Sequence, residues 1–146
     1  LEQLAAHDAA AVFVSITTLR NDLYKTLEPR TCSPQRRLDA LRALSEAGIP
    51  AGVLVAPLIP GLNDHELPAI LKQAADAGAR HAGYVLLRLP GAVSPIFETW
   101  LDDHYPDRKN KVLKHVREAR GGRLNDSRFG HRMRGQGLWA QQLEAL

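Results

Sequence analysis

Three short apolar runs in this 146-residue chain each lead into residues able to hold a ligand. The first ends in Ser15-Ile16-Thr17-Thr18, and strand alternation puts Ser15 and Thr17 on one face. Two hydroxyls so placed can bond a sugar or a carboxylate, or they can cap the turn that follows. The second run passes through Ala56 into Pro57-Leu58-Ile59-Pro60-Gly61-Leu62-Asn63-Asp64. Its prolines and glycine stiffen the connection, either to bring backbone close to a ligand or simply to make a rigid turn before a helix. The third run carries Tyr84, Leu86 and Arg88 on one face. A guanidinium at the end of a buried strand needs a carboxylate or phosphate, from a ligand or from an Asp or Glu of the same fold. Arg30, in Glu28-Pro29-Arg30, either reaches the mouth of the fold or lies on its surface. Cys32, close by, has no acid–base neighbour in sequence and reads as an inert small residue.

Several other chemistries lack their residues. There is no G-x-G-x-x-G, P-loop or nucleophile-elbow pattern, which argues against dinucleotide, NTP and α/β-hydrolase sites. Six histidines, at 7, 65, 81, 104, 115 and 131, form no H-x-x-x-H pair, so no zinc site is expected. A single cysteine rules out an internal disulfide and a cluster held by three thiolates of this chain, and it suits a reducing cytoplasm.

The elements that must position these groups follow from periodicity. Residues 11–17, 51–57 and 83–89 are nearly continuous in apolar character, as strands of a helix-covered parallel sheet are. Ser33-Pro34 opens a helix with Leu38, Leu41 and Leu44 on one face, and Gly48 ends it. A second opens at Asn63-Asp64, with Glu66 placed for a capping box, and closes at Gly78. A shorter helix spans 21–27. Strand centres fall roughly 30 to 40 residues apart, the period of βα units with right-handed crossovers. Three such strands cannot close a barrel. The chain also starts at Leu1 with neither Met nor a secretory signal, so the expectation is that further strands lie upstream in a longer polypeptide.

After Pro90 the pattern changes. Helices are expected at 95–101 and 107–120, then a basic loop over 123–137 and a final helix over 138–146. This divides the chain into a βα region, 1–92, and a helical, basic extension, 93–146. Between residues 104 and 134 stand ten Lys/Arg against three Asp/Glu, out of 19 and 16 in the whole chain. Such clustering can neutralise the phosphates of a nucleic acid, although only Phe129 and Trp139 are there to stack on bases. No stretch approaches the roughly 18 apolar residues of a membrane span.

Taken together, Leu27 to Leu38 (Leu-Glu-Pro-Arg-Thr-Cys-Ser-Pro-Gln-Arg-Arg-Leu) and Ala47 to Gly61, with Val14-Ser15-Ile16-Thr17-Thr18 before them, resemble radical S-adenosylmethionine (SAM) proteins related to spore photoproduct lyase. Residues 82–90 and the tail from Arg120-Gly121-Gly122 through Phe129-Gly130-His131 to Gly135 resemble an uncharacterised bacterial branch of that superfamily. The resemblance implies an α/β fold, the C-terminal half of a partial (β/α)6 TIM-like barrel, with this chain supplying strands four to six. Its partner would be the missing N-terminal half. The resemblance also implies SAM and a [4Fe–4S] cluster, whose C-x3-C-x2-C loop is absent here. By position, Ser15 would contact the SAM ribose, with Thr17 on the same face, and Ala56 would lie beside the cofactor. Arg30 and Arg88 would be candidates for the cofactor carboxylate or the substrate. The competing classes are a non-redox β/α-barrel lyase fragment, which lacks an evident catalytic Lys or metal carboxylates, and a non-catalytic binding module.

Overall fold

Pro34 has no backbone N–H to lose in a first helical turn, and Ser33 before it accepts a hydrogen bond from the Arg36 N–H at 3.4 Å. The computed structural model, which describes residues 1–7, 9–128 and 131–145, accordingly starts a helix there. In chain order the elements are α1 (Glu2–Ala5), β1 (Val12–Ser15), α2 (Asn21–Leu27), α3 (Pro34–Glu46), β2 (Ala51–Leu58), α4 (Leu67–Asp76), β3 (His81–Leu86), α5 (Val93–His104), α6 (Pro106–Ala119), α7 (His131–Arg134) and α8 (Leu138–Glu144). Two compact units divide the chain: residues 1–56 with 66–83, and residues 57–65 with 84–146. Among the described residues no helix is long and apolar enough to cross a membrane.

The sheet has three strands in the order β1-β2-β3. β1 runs parallel to β2, Val12 opposite Ala51 and Ser15 opposite Leu54. On the other side of β2, the Arg80 N–H donates to Ala51 O at 2.8 Å and the Leu87 N–H to Leu58 O at 2.9 Å. Both partners advance by seven residues, so this pairing is parallel as well. Central β2 is the buried strand, with Ala51, Val53, Val55 and Leu58 in the core. α3 packs on β1 and on α4 through the face that includes Leu38 and Leu41, while α4 buries Leu67, Ile70 and Ala74. Gly48 and Gly78 stop these helices at φ +70° and +94°, where a side chain would be strained. In the second unit α5 packs on α6, whose buried face is Val112, Leu113, Val116 and Ala119.

Four expectations from sequence change. β1 is shorter than 11–17, because beyond Ser15 hydroxyls take over from the ladder. β3 lies at 81–86 and not 83–89. Pairing with the start of β2 sets its beginning, and the exposed residues His81 and Ala82 carry no apolar signal. The capping box at Asn63 and Glu66 does not form: a single 3-10 turn, Asp64–Glu66, precedes α4, and Glu66 makes no cap hydrogen bond. Within the basic stretch 123–137, residues 131–134 are helical. Phe129 and Gly130, named above for stacking and resemblance, lie outside the described residues.

Gly52 lets the three strands approach. A Cβ there would stand 2.6 Å from Phe13 Cε1 and 2.9 Å from the His81 carbonyl oxygen. Gly52→Ala is therefore expected to destabilise the fold by about 1–3 kcal/mol, the usual cost of overpacking, read as a lower urea midpoint at unchanged m-value.

Candidate functional site at the carboxyl ends of the strands

In parallel sheets ligands gather at the carboxyl ends of the strands, where the ladder stops and side chains meet the outgoing loops. At the end of β1, Ser15 Oγ donates to the Ala56 carbonyl at 3.3 Å and Thr17 Oγ1 donates to the same oxygen at 3.0 Å. Three of the residues singled out in sequence thus meet at one atom. Their exposures differ. Ser15 and Ala56 are half-buried, whereas Thr17 is 1% exposed. Both hydroxyls tie the end of one strand to the next.

Behind this junction lie two polar residues whose partners sequence reasoning missed. Arg37, buried on α3, donates through Nη1 to the Ser15 carbonyl at 2.8 Å, through Nε to Cys32 O at 3.2 Å, and through Nη2 to Thr31 Oγ1 at 2.7 Å. Glu28 completes its set with an ion pair at 3.3 Å. One signal could have found it: Arg37 falls four residues before Leu41, on the helix face that is otherwise apolar. Glu66, also buried, accepts from the Thr18 hydroxyl at 2.7 and 2.9 Å and from the Leu19 N–H at 2.8 Å. It looked like a capping residue because three-residue spacing is the same whichever partner the carboxylate finds. Arg30 and Cys32 are both exposed, and Cys32 enters the Arg37 network only through its backbone carbonyl.

The second unit is built separately. Asn63 Oδ1 accepts from the Ile59 N–H at 2.6 Å, and its amide donates to Pro57 O at 3.1 Å. Asp64 Oδ1 accepts from the Gly61 N–H at 3.0 Å, so the proline-rich loop is closed by its own side chains. Arg88 is half-buried, two residues beyond the end of β3. Arg120, from the basic tail, is 1% exposed and donates to Leu86 O and Leu87 O, both at 2.9 Å, and to Arg132 O at 2.7 Å. A cleft of about 330 Å³ is lined by Arg120, Gly121, Arg123, Asp126 and Arg128. In the first unit a cavity of about 510 Å³ is lined by Ala9, Ala10, Ala11, Pro50, Arg80 and His81. Those residues precede or begin the strands, at the end opposite to the hydroxyls. Among the described residues no group of three His, Cys, Asp or Glu is placed to hold a metal ion.

The radical SAM superfamily matches residues 1–74. An uncharacterized protein of Mycobacterium tuberculosis is 32% identical over 109 residues, 73% of this chain and 32% of the relative. An uncharacterized protein of Acidianus two-tailed virus is 30% identical over 134 residues, 88% of this chain and 43% of the relative. GTP 3',8-cyclase of Streptomyces coelicolor is 42% identical over 65 residues, 44% of this chain and 19% of the cyclase. The chain spans about a third of the length of the mycobacterial relatives it matches. No solved structure gives a significant match.

The Glu66 clamp makes a measurable demand. Glu66→Gln removes the charge that the Thr18 hydroxyl and the Leu19 N–H both donate to, and is expected to cost about 1–3 kcal/mol in chemical denaturation. Hydrogen exchange should show the loss at Leu19, whose N–H is held by the carboxylate. Unchanged stability together with unchanged protection of that amide would show the clamp to be unimportant.

Proposed function

The chain belongs to the radical SAM superfamily, matched over residues 1–74, and on that premise we propose that it contributes the SAM-holding strand ends of a longer radical SAM enzyme. The finer reading assigns β1, β2 and β3 to strands four to six of a (β/α)6 half-barrel in a branch resembling spore photoproduct lyase. The observation that carries the cofactor part is the convergence of Ser15 and Thr17 on the Ala56 carbonyl.

That junction suits a ribose. Ser15 spends its proton on Ala56 O and keeps acceptor capacity, so a ribose hydroxyl can donate to a half-exposed oxygen that is already held in place. Its position is fixed from both sides, by Ala56 through the side chain and by Arg37 through the Ser15 carbonyl. Thr17 lies deeper and orients the Ala56 peptide, which would lie beside the cofactor. SAM, when bound, supplies the deoxyadenosyl group for radical chemistry. The residues of this chain orient it and keep water from the reacting centre. Family membership implies a [4Fe–4S] cluster as well, but the residues present do not fit one: the chain has a single cysteine, Cys32, exposed on the loop after α2. Cluster ligands must therefore come from outside this chain. Arg30 and Arg88 are proposed for anionic groups of the cofactor or the substrate.

The test uses the full-length protein that contains this chain, reconstituted anaerobically and assayed for deoxyadenosine release from SAM. Release is expected. Ser15→Ala should weaken SAM binding roughly fivefold, the equivalent of about 1 kcal/mol for one hydrogen bond, with little change in folding stability. Absence of deoxyadenosine from a protein shown to carry its cluster would sink the proposal.

A further inference from the structure

Arg88 is a residue of the second unit whose chemistry the described residues leave incomplete. Its Nε is buried with no hydrogen-bond partner among the described residues. Buried donors are nearly always paired, so a group like this calls for an explanation, and an acceptor supplied by a ligand is one. A second guanidinium makes the need greater. Arg120 Nη2 donates to the Leu86 and Leu87 carbonyls at 2.9 Å, and Leu87 O belongs to the peptide that joins Leu87 to Arg88. Two positive charges are thus built around one short stretch of backbone, Arg120 resting on the Leu86, Leu87 and Arg132 carbonyls.

The electrostatics agree with this geometry. Burial pushes the Arg120 guanidinium below its usual range, the charge of Arg88 pushes it further, and Asp126 offsets part of the fall. The Asp126 carboxylate also accepts from Arg128, through Nε at 3.0 and 3.1 Å and through Nη2 at 2.7 Å. A protein bears the cost of like charges at close quarters most readily where an anion is to be received between or beside them.

We propose that Arg88 is the contact residue of a phosphate-binding site at the carboxyl end of β3, with Arg120 behind it as a second, buried positive charge. A phosphate of a small-molecule ligand suits the site better than a single carboxylate. It brings close to two negative charges against two guanidinium groups, and its several oxygens can accept from Nε–H and an Nη–H together. This deepens the reading of the strand ends as ligand-facing and rests on it for location. Binding is measured without SAM or cluster, so the two readings fail separately.

The full chain is titrated with inorganic pyrophosphate by calorimetry, and its thermal midpoint is followed in parallel, at ionic strength matched with sodium chloride. Pyrophosphate is expected to bind and to raise the midpoint, while acetate at the same ionic strength does neither. Arg88→Met should weaken binding at least tenfold and, in the absence of ligand, leave the midpoint unchanged or higher, because a like charge and an unsatisfied donor have gone. Arg88→Lys, which keeps the charge but not the paired donors, should fall between. Wild-type protein that does not distinguish pyrophosphate from chloride, or an Arg88→Met variant that binds as well as wild type, would overturn the site. An Arg88→Met variant that melts well below wild type without ligand would instead make Arg88 a structural residue. Tighter, equally Arg88-dependent binding of a mixed-sequence oligonucleotide would overturn the small-ligand assignment.

Discussion

Where a parallel strand ends, its last carbonyls point out of the ladder with no neighbouring N–H to receive, and when they are buried they must find donors elsewhere. The polar architecture of this chain is a set of answers to that constraint. In the first unit the Ser15 carbonyl takes Arg37 and the Ala56 carbonyl takes the Ser15 and Thr17 hydroxyls. In the second, Asn63 serves Pro57 O and Arg120 serves Leu86 O and Leu87 O. Charged residues appear among these donors because a guanidinium can reach several carbonyls at once, which a hydroxyl cannot.

A fold that satisfies strand ends with side chains also concentrates polar groups where ligands of parallel sheets bind. The same hydroxyl that closes the ladder at Ala56 keeps acceptor capacity, and the guanidinium that closes β3 brings a charge up to Arg88. The residues at this edge differ in exposure: Thr17, Arg37 and Arg120 are buried and hold backbone in place, whereas Ser15 and Arg88 are half-buried. The basic tail illustrates the point from the other side. One of its clustered arginines, Arg120, turns inward and holds the end of β3.

Much of this was legible in the residues. The helices over 21–27 and 34–46, the Ser33 cap and the glycine stops follow from local preferences that need no partner to act. So does central β2, whose continuous apolar run marks a strand covered on both faces. The edges were harder. β1 proved shorter than its apolar run, and β3 starts earlier than its own, because an edge strand is defined by which neighbour it pairs with and only half its residues need be apolar.

Local sequence determined which segments could be strands, where the helices start and stop, and that Ser15 and Thr17 share a face, since each depends on neighbours within a turn or two. Tertiary structure decided what the long polar side chains do. Glu66 leaves its own helix for Thr18 and Leu19, 48 and 47 residues away, and Arg120 crosses 33 and 34 residues to two carbonyls. Such pairings have no periodic trace. They are set by which backbone groups the folded sheet leaves buried and short of a donor or acceptor, and no local pattern records that shortage.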